Sequence, residues 1–425
     1  MACFMKAIAV VIVVGSIVRG QKELEIDKDE NIEAFALLCR IYNVAKNPPI
    51  NYIDLQEAAN IVNEIDALNT SLVEPKLHNE TEQMGNGGEA MISPAAMREA
   101  AVAQISLTQI TQKAQKILED IKRINVSKEI GKAKAEFNKV IFGDDGNESD
   151  LDHGALNGIG DRATACGNTG LSSEGTSAGK NLVVDFFCLC VQRPDGEGAN
   201  QVCGFYVGSN NKNGQLGWSE AGPSGSSTMW ASIKGGCGKH MQQHPKSTAE
   251  ARHILDTFLK HLKTGGVYRW GDSSQKTVKG SGRKEGMLGT GVGKENNGSD
   301  VLCNGRKGGK SGESPGGICV YYGPDKWEDD IDWMKQFNAT LTTVDAANDQ
   351  TATVQRSIQK LQMLLHRAEE IYETTKVISE IQKQEGHTAL QNVSGNLTAY
   401  NTTRTRSYSY STNPYFIPRW LLFLL

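Results

Sequence analysis

The chain has 425 residues, long enough for two or three domains with a sizeable hydrophobic core. It has 45 lysines and arginines against 49 aspartates and glutamates, so it lacks the positive field that draws proteins to nucleic acids, and we expect no DNA or RNA partner. No interior apolar run approaches the ~20 residues that span a bilayer, which argues against a membrane-spanning helix in the mature chain.

The N-terminus carries the features of a secretory signal. Lys6 precedes an apolar stretch over residues 7–18, and Val18 and Gly20 are small enough for the −3 and −1 positions of a signal peptidase site. The pattern predicts a signal peptide over residues 1–20. The alternative is a buried N-terminal strand.

Residues 21–142 are predicted to form short N-terminal helices followed by a long one. Apolar side chains recur at helical spacing within residues 32–42 and 58–72. From Ala103 to Ile124 the apolar positions follow alternating steps of four and three, which is typical of a coiled-coil seam.

The ends of the first long helix are marked by residues that favour helix termini. Pro94 suits a first helical turn and Gly143 suits a helix end, so one helix is expected from about Pro94 to Phe142. At ~1.5 Å per residue it would be roughly 70 Å long. The apolar seam shifts near Asn125, which indicates a change of supercoil or packing partner there.

Residues 324–386 predict a second long helix, because apolar residues recur every three or four positions from Trp327 to Ile378. Such a helix would be roughly 90 Å long. Helices of this length need a partner of similar length, so we expect the two to pair. The predicted fold class is mainly α, an elongated antiparallel helical bundle or coiled coil.

The central segment, residues 143–323, has a different composition. It holds 37 of the 45 glycines and seven of the nine cysteines. Glycine at this density disfavours long helices, so we predict a disulfide-stapled, glycine-rich head of loops and short strands. Its best strand is predicted at residues 183–191, with Cys188 and Cys190 on one face.

Removal of the signal peptide would take Cys3 with it and leave an even number of cysteines. Eight cysteines in a secreted chain favour disulfides, and they permit 105 pairings among which the sequence does not choose. We expect Cys39 to tie an N-terminal helix to the head. The eight are Cys39, Cys166, Cys188, Cys190, Cys203, Cys237, Cys303 and Cys319.

Sequons for N-linked glycosylation occur along the whole chain, in agreement with a secretory route. The candidate sites are Asn69, Asn79, Asn125, Asn147, Asn297, Asn338, Asn392 and Asn396. A ninth sequon, at Asn401, coincides with the predicted lipid attachment site described below.

Two motifs suggest a ligand site, and each has a simpler interpretation: a solvated loop for the glycine-lysine segments and a surface histidine cluster for the zinc-type residues. Residues 304–311 resemble a phosphate-binding loop but carry Asn304 where the first glycine is needed, and residues 175–181 and 289–294 also depart from that motif. Cys237, His240 and His244, with His253 and His261 beyond them, have the residue types of a zinc site, but Cys237 belongs to the even cysteine set. No catalytic signature stands out, so we predict no cofactor, no metal and no enzymatic activity.

The C-terminus predicts a glycosylphosphatidylinositol (GPI) signal. Residues 387–401 read as a flexible, glycosylated stalk, and residues 402–425 as a removed segment with a polar spacer and an apolar tail. Small residues place the attachment at Asn401, with Ser394, Ser407 and Ser409 as alternatives. Arg419 interrupts the tail, which leaves open an unprocessed C-terminus on a secreted protein.

Together these features resemble the trypanosome variant surface glycoproteins. The stretch running from Cys166-Gly167-Asn168 through residues 178–182 to residues 185–190 is similar to the head signature of their B-type N-terminal domains, particularly those of livestock-infecting species. One departure is that no cysteine follows Cys319, whereas many family members carry a cysteine-rich C-terminal domain.

The resemblance implies a coat protein with no reaction to catalyse. It would be held in the outer leaflet of the plasma membrane by a GPI lipid, pair as a homodimer, and present its head to host antibodies, giving steric shielding and antigenic variation. The alternative is a host-ligand receptor of the transferrin or haptoglobin-haemoglobin type on the same helical scaffold, because fold alone does not separate the two.

Overall fold

The computed structural model describes residues 24–82, 94–144, 146–209, 216–239, 244–272, 274, 277–308 and 316–388. The predicted signal peptide, most of the predicted stalk and the GPI signal lie outside these residues. Among the helices that are described, none is both long and apolar enough to cross a bilayer.

The described residues are mainly helical, with two small sheets. The helices are α1 Ile32–Lys46, α2 Leu55–Glu82, α3 Pro94–Arg123, α4 Val126–Phe142, α5 Arg162–Cys166, α6 Leu182–Cys190, α7 Ser226–Lys239, α8 Thr248–Thr264, α9 Trp327–Asp330 and α10 Asp332–Thr388. The strands are β1 Gly217–Trp218, β2 Pro223–Ser224, β3 Gly266–Asp272, β4 Thr277–Lys284, β5 Met287–Gly293 and β6 Gly316–Tyr321.

The chain divides into two compact units. Unit 1 comprises the described residues up to 64 and those of 112–365, and unit 2 comprises those of 65–111 and from 366 onward. Unit 2 therefore consists of the C-terminal part of α2, the N-terminal part of α3 and the C-terminal part of α10. Unit 1 contains all the other helices and both sheets.

The core of unit 1 is built from aromatic and aliphatic side chains of several helices around α6. Phe186 of α6 lies edge-on to Phe35 of α1 at 5.7 Å and to Trp230 of α7 at 5.8 Å between ring centroids. Phe137 of α4 meets Phe337 of α10 in the same way at 5.4 Å. Burial of these rings supplies the main driving force for folding of this unit.

The predicted strand at residues 183–191 is wrong, because this segment is helix α6. Every residue of α6 is buried, and a fully apolar run shows no periodicity that separates a strand from a helix. A side-chain cap at its N-terminus stabilises the helix. The Asn181 side chain accepts a hydrogen bond from the Val184 N–H at 3.0 Å, which satisfies one of the unpaired amides of the first turn.

The single helix expected from Pro94 to Phe142 is also wrong, because it breaks between α3 and α4. The break lies where the apolar seam shifts: Asn125 ends the first helix and caps the second, its Oδ1 accepting from the Lys128 N–H at 3.2 Å. The second predicted helix begins with the short α9, and Ile331, in an extended conformation, separates it from α10.

Most of the periodic residues of α3 and α10 are buried as their spacing predicts, whereas Ile117 of α3 and Leu365, Ile371 and Ile378 of α10 are half-buried. In unit 2, Leu107 of α3 and Ala368 of α10 are fully buried. In the part of α10 that belongs to unit 1, the buried apolar residues of the periodic pattern are Met334, Phe337, Leu341, Val344, Ala347, Val354, Ile358 and Leu361. Unit 2 also contains a polar contact between α3 and α2, in which Gln104 Nε2 donates to Asn69 Oδ1 at 2.8 Å.

The larger sheet has the strand order β4-β3-β5-β6. Strand β3 pairs with β5 in parallel, and the other two pairings are antiparallel. Alternate glycines let side chains from neighbouring segments lie close to the sheet. A Cβ at Gly291 of β5 would lie 2.3 Å from the Val301 side chain, so glycine is required there.

Candidate functional site

The structure pairs all eight cysteines of the even set. The bonds are Cys39–Cys237, Cys166–Cys188, Cys190–Cys203 and Cys303–Cys319. The expectation of disulfides is confirmed, and so is the tie from the N-terminal helix α1 into the glycine-rich segment. Three of the bonds connect residues 13 to 22 positions apart, whereas Cys39–Cys237 spans 198.

Helix α6 receives two of these bonds, through Cys188 and Cys190, and it is the buried centre of unit 1. The last carbonyls of a helix have no partner within it. Two buried polar side chains satisfy them here. Arg162 of α5 donates to the carbonyls of Cys188 at 2.8 Å and Val191 at 2.7 Å, and Asn31 donates through Nδ2 to the Leu189 carbonyl at 2.9 Å.

Arg162 is fully buried, and its guanidinium lies over the Trp218 ring at 5.5 Å from the ring centroid. Burial, with Arg193 nearby, lowers the pKa of Arg162 to about 9, so the group stays charged at neutral pH. The positive charge faces the negative end of the α6 dipole, which is a favourable arrangement. Sequence reasoning did not single out Arg162, because a lone arginine gives no sign that it is buried.

A second buried ionisable side chain, Asp185, lies in the first half of α6. The Asp185 carboxylate accepts hydrogen bonds from the Gly179 N–H at 2.9 Å, the Tyr322 hydroxyl at 2.7 Å and the Trp333 Nε1–H at 2.7 Å. It thereby links α6 to the residue after β6 and to the first turn of α10. Burial raises the pKa of Asp185 to about 7, although the three donors favour the ionised form.

Residues 175–181, one of the segments that resembled a phosphate loop, do not have free backbone amides for binding an anion. The amide of Gly179 is occupied by Asp185, and the amides of Gly175, Thr176 and Ser177 donate to backbone carbonyls. A phosphate loop needs free amides to cradle an anion. Residues 289–293 lie in strand β5, so they do not form such a loop either.

The zinc hypothesis loses its sulfur ligand, because Cys237 is bonded to Cys39. His240 lies outside the described residues, and within them no group of three or more His, Cys, Asp or Glu side chains could hold a metal ion. Helix α8 places the His261 ring 4.0 Å from the Glu33 carboxylate, and burial lowers the pKa of His261.

The sequons are distributed over loops and helices. Asn125, Asn147, Asn297 and Asn338 are exposed, Asn69 is half-buried in α2, and Asn79 lies in α2 with its side chain outside the described set. Asn392, Asn396 and the attachment candidate Asn401 also lie outside it. The Asn147 side chain accepts hydrogen bonds from the Ser149 N–H at 2.9 Å and the Ser149 hydroxyl at 2.6 Å.

Comparison with known proteins identifies the family. Residues 13–91 and 86–363 match the family model described as the trypanosomal VSG domain, where VSG stands for variant surface glycoprotein, and this covers most of the chain. The chain belongs to this family. The described disulfides, α6 and its two buried ionisable side chains therefore form the internal framework of a domain of this family.

One VSG relative is similar to this chain. Variant surface glycoprotein YnAT 1.3 of Trypanosoma congolense is 24% identical over 244 residues, which cover 56% of this chain and 53% of the relative. The match thus spans about half the length of that protein. The resemblance to the variant surface glycoproteins is confirmed. The stretch that contributed to it, residues 166–190, runs from the last residue of α5 through the loop that contains Gly179 to the end of α6.

Proposed function

We propose that this VSG-family protein is a GPI-anchored coat glycoprotein that shields the cell surface sterically and evades antibodies by antigenic variation. The observation that carries the proposal is the family match over most of the chain. The role requires a stable domain with a changeable surface, and it requires no reaction at all.

The distribution of buried and exposed residues supports antigenic variation. The fold of unit 1 depends on buried groups, namely the disulfides, α6, Arg162 and Asp185. Substitutions of exposed loop residues away from such features usually change stability by less than ~0.5 kcal/mol. The exposed side chains of the loop over residues 146–160 can therefore change while the core stays the same.

Anchoring by a GPI lipid at Asn401 belongs to this proposal. Treatment of intact cells with a phosphatidylinositol-specific phospholipase C should release the protein, and the C-terminal peptide of the released chain should end at the attachment residue. Recovery of a peptide that contains Trp420 would contradict the anchor.

We also propose that the long helices pair as an antiparallel coiled coil and that the protein is a homodimer. Unit 2 exposes Val102 and Ile105 on α3, with exposures of 64% and 60%, and Val377 and Ile381 on α10, with exposures of 50% and 51%. Clustered apolar exposure is typical of an interaction surface. In sedimentation, Ile105→Glu should weaken a dimer more than Gln109→Glu, which adds the same charge one turn along without removing apolar surface. Monomer alone at micromolar concentration would contradict the dimer.

The decisive experiment for the coat role measures abundance. In a clonal population, surface labelling should find this protein as the dominant labelled species. A scarce protein that retains a host serum ligand on a column would instead support the receptor of the transferrin or haptoglobin-haemoglobin type.

A further inference from the structure

An aromatic pair lies on one face of the β3–β4 hairpin. Tyr268 and Trp270 are two residues apart on β3, and their ring centroids are 5.4 Å apart with the planes tilted by 33°. Glycines on β4 make room for both rings. A Cβ at Gly280 would lie 2.3 Å from the Trp270 ring, and one at Gly282 would lie 2.9 Å from the Tyr268 hydroxyl.

The loop after β5 folds back onto this pair. The Tyr268 hydroxyl donates to the Asn296 carbonyl. Gly298, at a φ of +63°, lies so close that its Cβ would be 3.1 Å from the Tyr268 ring. The Asp300 carboxylate closes the loop by accepting from the Lys294 N–H at 2.7 Å. Asn297, between the two residues that contact Tyr268, is therefore held beside the aromatic pair.

Asn297 is the first residue of the sequon Asn297-Gly298-Ser299. Its side chain is exposed, and its Oδ1 accepts a hydrogen bond from the Ser299 N–H at 3.0 Å. The amide Nδ2, the atom that glycosylation modifies, is on this exposed side chain. Trp270 is only half-buried, so part of its indole surface is open to solvent, and its ring packs against Tyr268, the residue that both neighbours of Asn297 contact.

We propose that Asn297 carries an N-linked glycan whose first sugar packs against Trp270. In the transfer, Asn297 Nδ2 forms a bond to C1 of an N-acetylglucosamine and loses one proton. The bond from C1 to its lipid-diphosphate carrier breaks, and the diphosphate leaves with the bonding electron pair. The face of an aromatic ring is electron-rich and attracts the weakly positive C–H groups of a pyranose.

The packed glycan has a physical consequence for the coat. It covers the glycine-rich hairpin β3–β4, whose outer strand β4 is the edge strand of the four-stranded sheet in the described part of the chain. A sugar held against Trp270 shields this edge from antibodies and from pairing with other strands. The inference rests on the proposed function, because a glycosylated surface protein must pass through the secretory route.

Occupancy of the site is tested on the full-length protein made in trypanosome cells. Peptides released with a glycosidase that converts glycosylated Asn to Asp in ¹⁸O water should carry the label at Asn297. Ser299→Ala should abolish the label there, whereas Ser149→Ala, the matched change at the Asn147 sequon, should leave it. Label at Asn147 without label at Asn297 overturns this inference alone, and no label at any sequon overturns the secretory route as well.

Packing against Trp270 is tested by a double-mutant cycle on thermal unfolding. Ser299→Ala should lower the unfolding midpoint, and Trp270→Thr should lower it by more degrees in the glycosylated protein than in the Ser299→Ala background. In a control cycle that uses Ser149→Ala instead of Ser299→Ala, the changes in unfolding midpoint caused by Trp270→Thr and Ser149→Ala should be additive. If Trp270→Thr does not fold, Trp270→Phe serves in the same cycle.

Enzymatic trimming gives an independent measure. An endoglycosidase that leaves one N-acetylglucosamine should preserve the unfolding midpoint, whereas complete removal should lower it to that of Ser299→Ala. Additive effects of Trp270 and Ser299, or equal midpoints after partial and complete removal, would contradict the contact.

Discussion

Helix α6 of unit 1 has nine residues, all of them buried, and it is held by two disulfides and by polar side chains at both ends. The helix segments of unit 2 carry no cysteine, bury one face and expose apolar residues such as Val102 and Val377 on another. Short helices are marginal on their own, so α6 owes its existence to contacts from distant parts of the chain. The helical segments of unit 2, by contrast, are predicted by the local spacing of their apolar residues.

This difference separates two sources of stability. Unit 1 depends on a few buried groups whose loss leaves unsatisfied atoms or an open loop, and such losses are costly. In the described part of unit 2 the buried apolar residues are Ile65, Ala103, Leu107, Ile110 and Ala368, and no charged side chain is buried among them. Variants of the buried groups in unit 1 should therefore have the largest effects.

Arg162 should give the largest effect. Arg162→Ala removes the donors to the carbonyls at the end of α6 and leaves a cavity, so we expect a loss of roughly 3–5 kcal/mol in the free energy of unfolding. Arg162→Met keeps most of the volume and isolates the lost hydrogen bonds. The measurement is the yield of secreted ectodomain together with its denaturant midpoint.

Arg123→Met is the matched control, because the Arg123 side chain is 75% exposed and pairs with Glu119 and Asp120 of its own helix. We expect it to stay within about 0.5 kcal/mol of the parent protein. Equal effects at Arg123 and Arg162 would remove the distinction between buried and solvated charges.

Removal of the longest-range disulfide should destabilise the protein more than removal of a short-range one, because the loop it closes is longer. Replacing Cys39 and Cys237 with serine opens a loop of 198 residues, and replacing Cys303 and Cys319 opens one of 16. Chain entropy predicts that the first pair loses about 2 kcal/mol more than the second. Denaturant unfolding of the two double variants, followed by near-ultraviolet circular dichroism, measures this. The reverse order would mean that native contacts decide the cost.

Asp185 should make the stability of unit 1 depend on pH. Its pKa is raised from 3.8 to about 7 in the folded chain, so the folded state holds a proton that the unfolded state has lost between these values. The stabilising contribution is complete below the lower value and is lost as pH rises to the upper one. The slope is at most about 1.4 kcal/mol per pH unit.

The test is the free energy of unfolding measured from pH 4 to pH 8. Asp185→Asn should remove the fall with rising pH, while also losing stability at every pH because its amide would face the Gly179 N–H. Asp256→Asn, at an exposed position on α8, controls for the loss of one charge. Parallel curves for the parent and Asp185→Asn would show that Asp185 stays ionised throughout.

The sequence predicts the parts of this fold that depend on local spacing. The steps of three and four predict most of the buried residues of α3 and of the unit 1 part of α10, and the shift of the seam near Asn125 indicates where α3 ends. The presence of disulfides follows from the count of cysteines and the secretory features. Their pairing does not, because it depends on which segments meet in the folded chain.

The sequence does not predict helix α6, because a segment that is buried on all sides is apolar throughout and shows no helical periodicity of apolar residues. Two signals for it were available: Asn181 directly before the apolar run is a favoured N-cap, and Asp185 lies in the first turn. The roles of Arg162 and Asp185 had no comparable signal, since burial of a charge is decided by residues far away in the sequence. The Tyr268–Trp270 pair has a local signal, because the alternating glycines of β4 leave space for large side chains on the neighbouring strand.

The smallest expected effect comes from the Asn125 side chain, which caps the N-terminus of α4 in unit 1. Asn125→Ala removes the side chain that accepts from the Lys128 N–H, so the free energy of unfolding should fall by about 1 kcal/mol. The substitution also removes a sequon, which would confuse the result if Asn125 carried a glycan. Asn125→Asp keeps a capping oxygen and removes the sequon, and Ser127→Ala removes the sequon and keeps Asn125. If both controls match the parent protein while Asn125→Ala does not, the cap carries the effect. A loss shared by all three variants would assign it to the glycan.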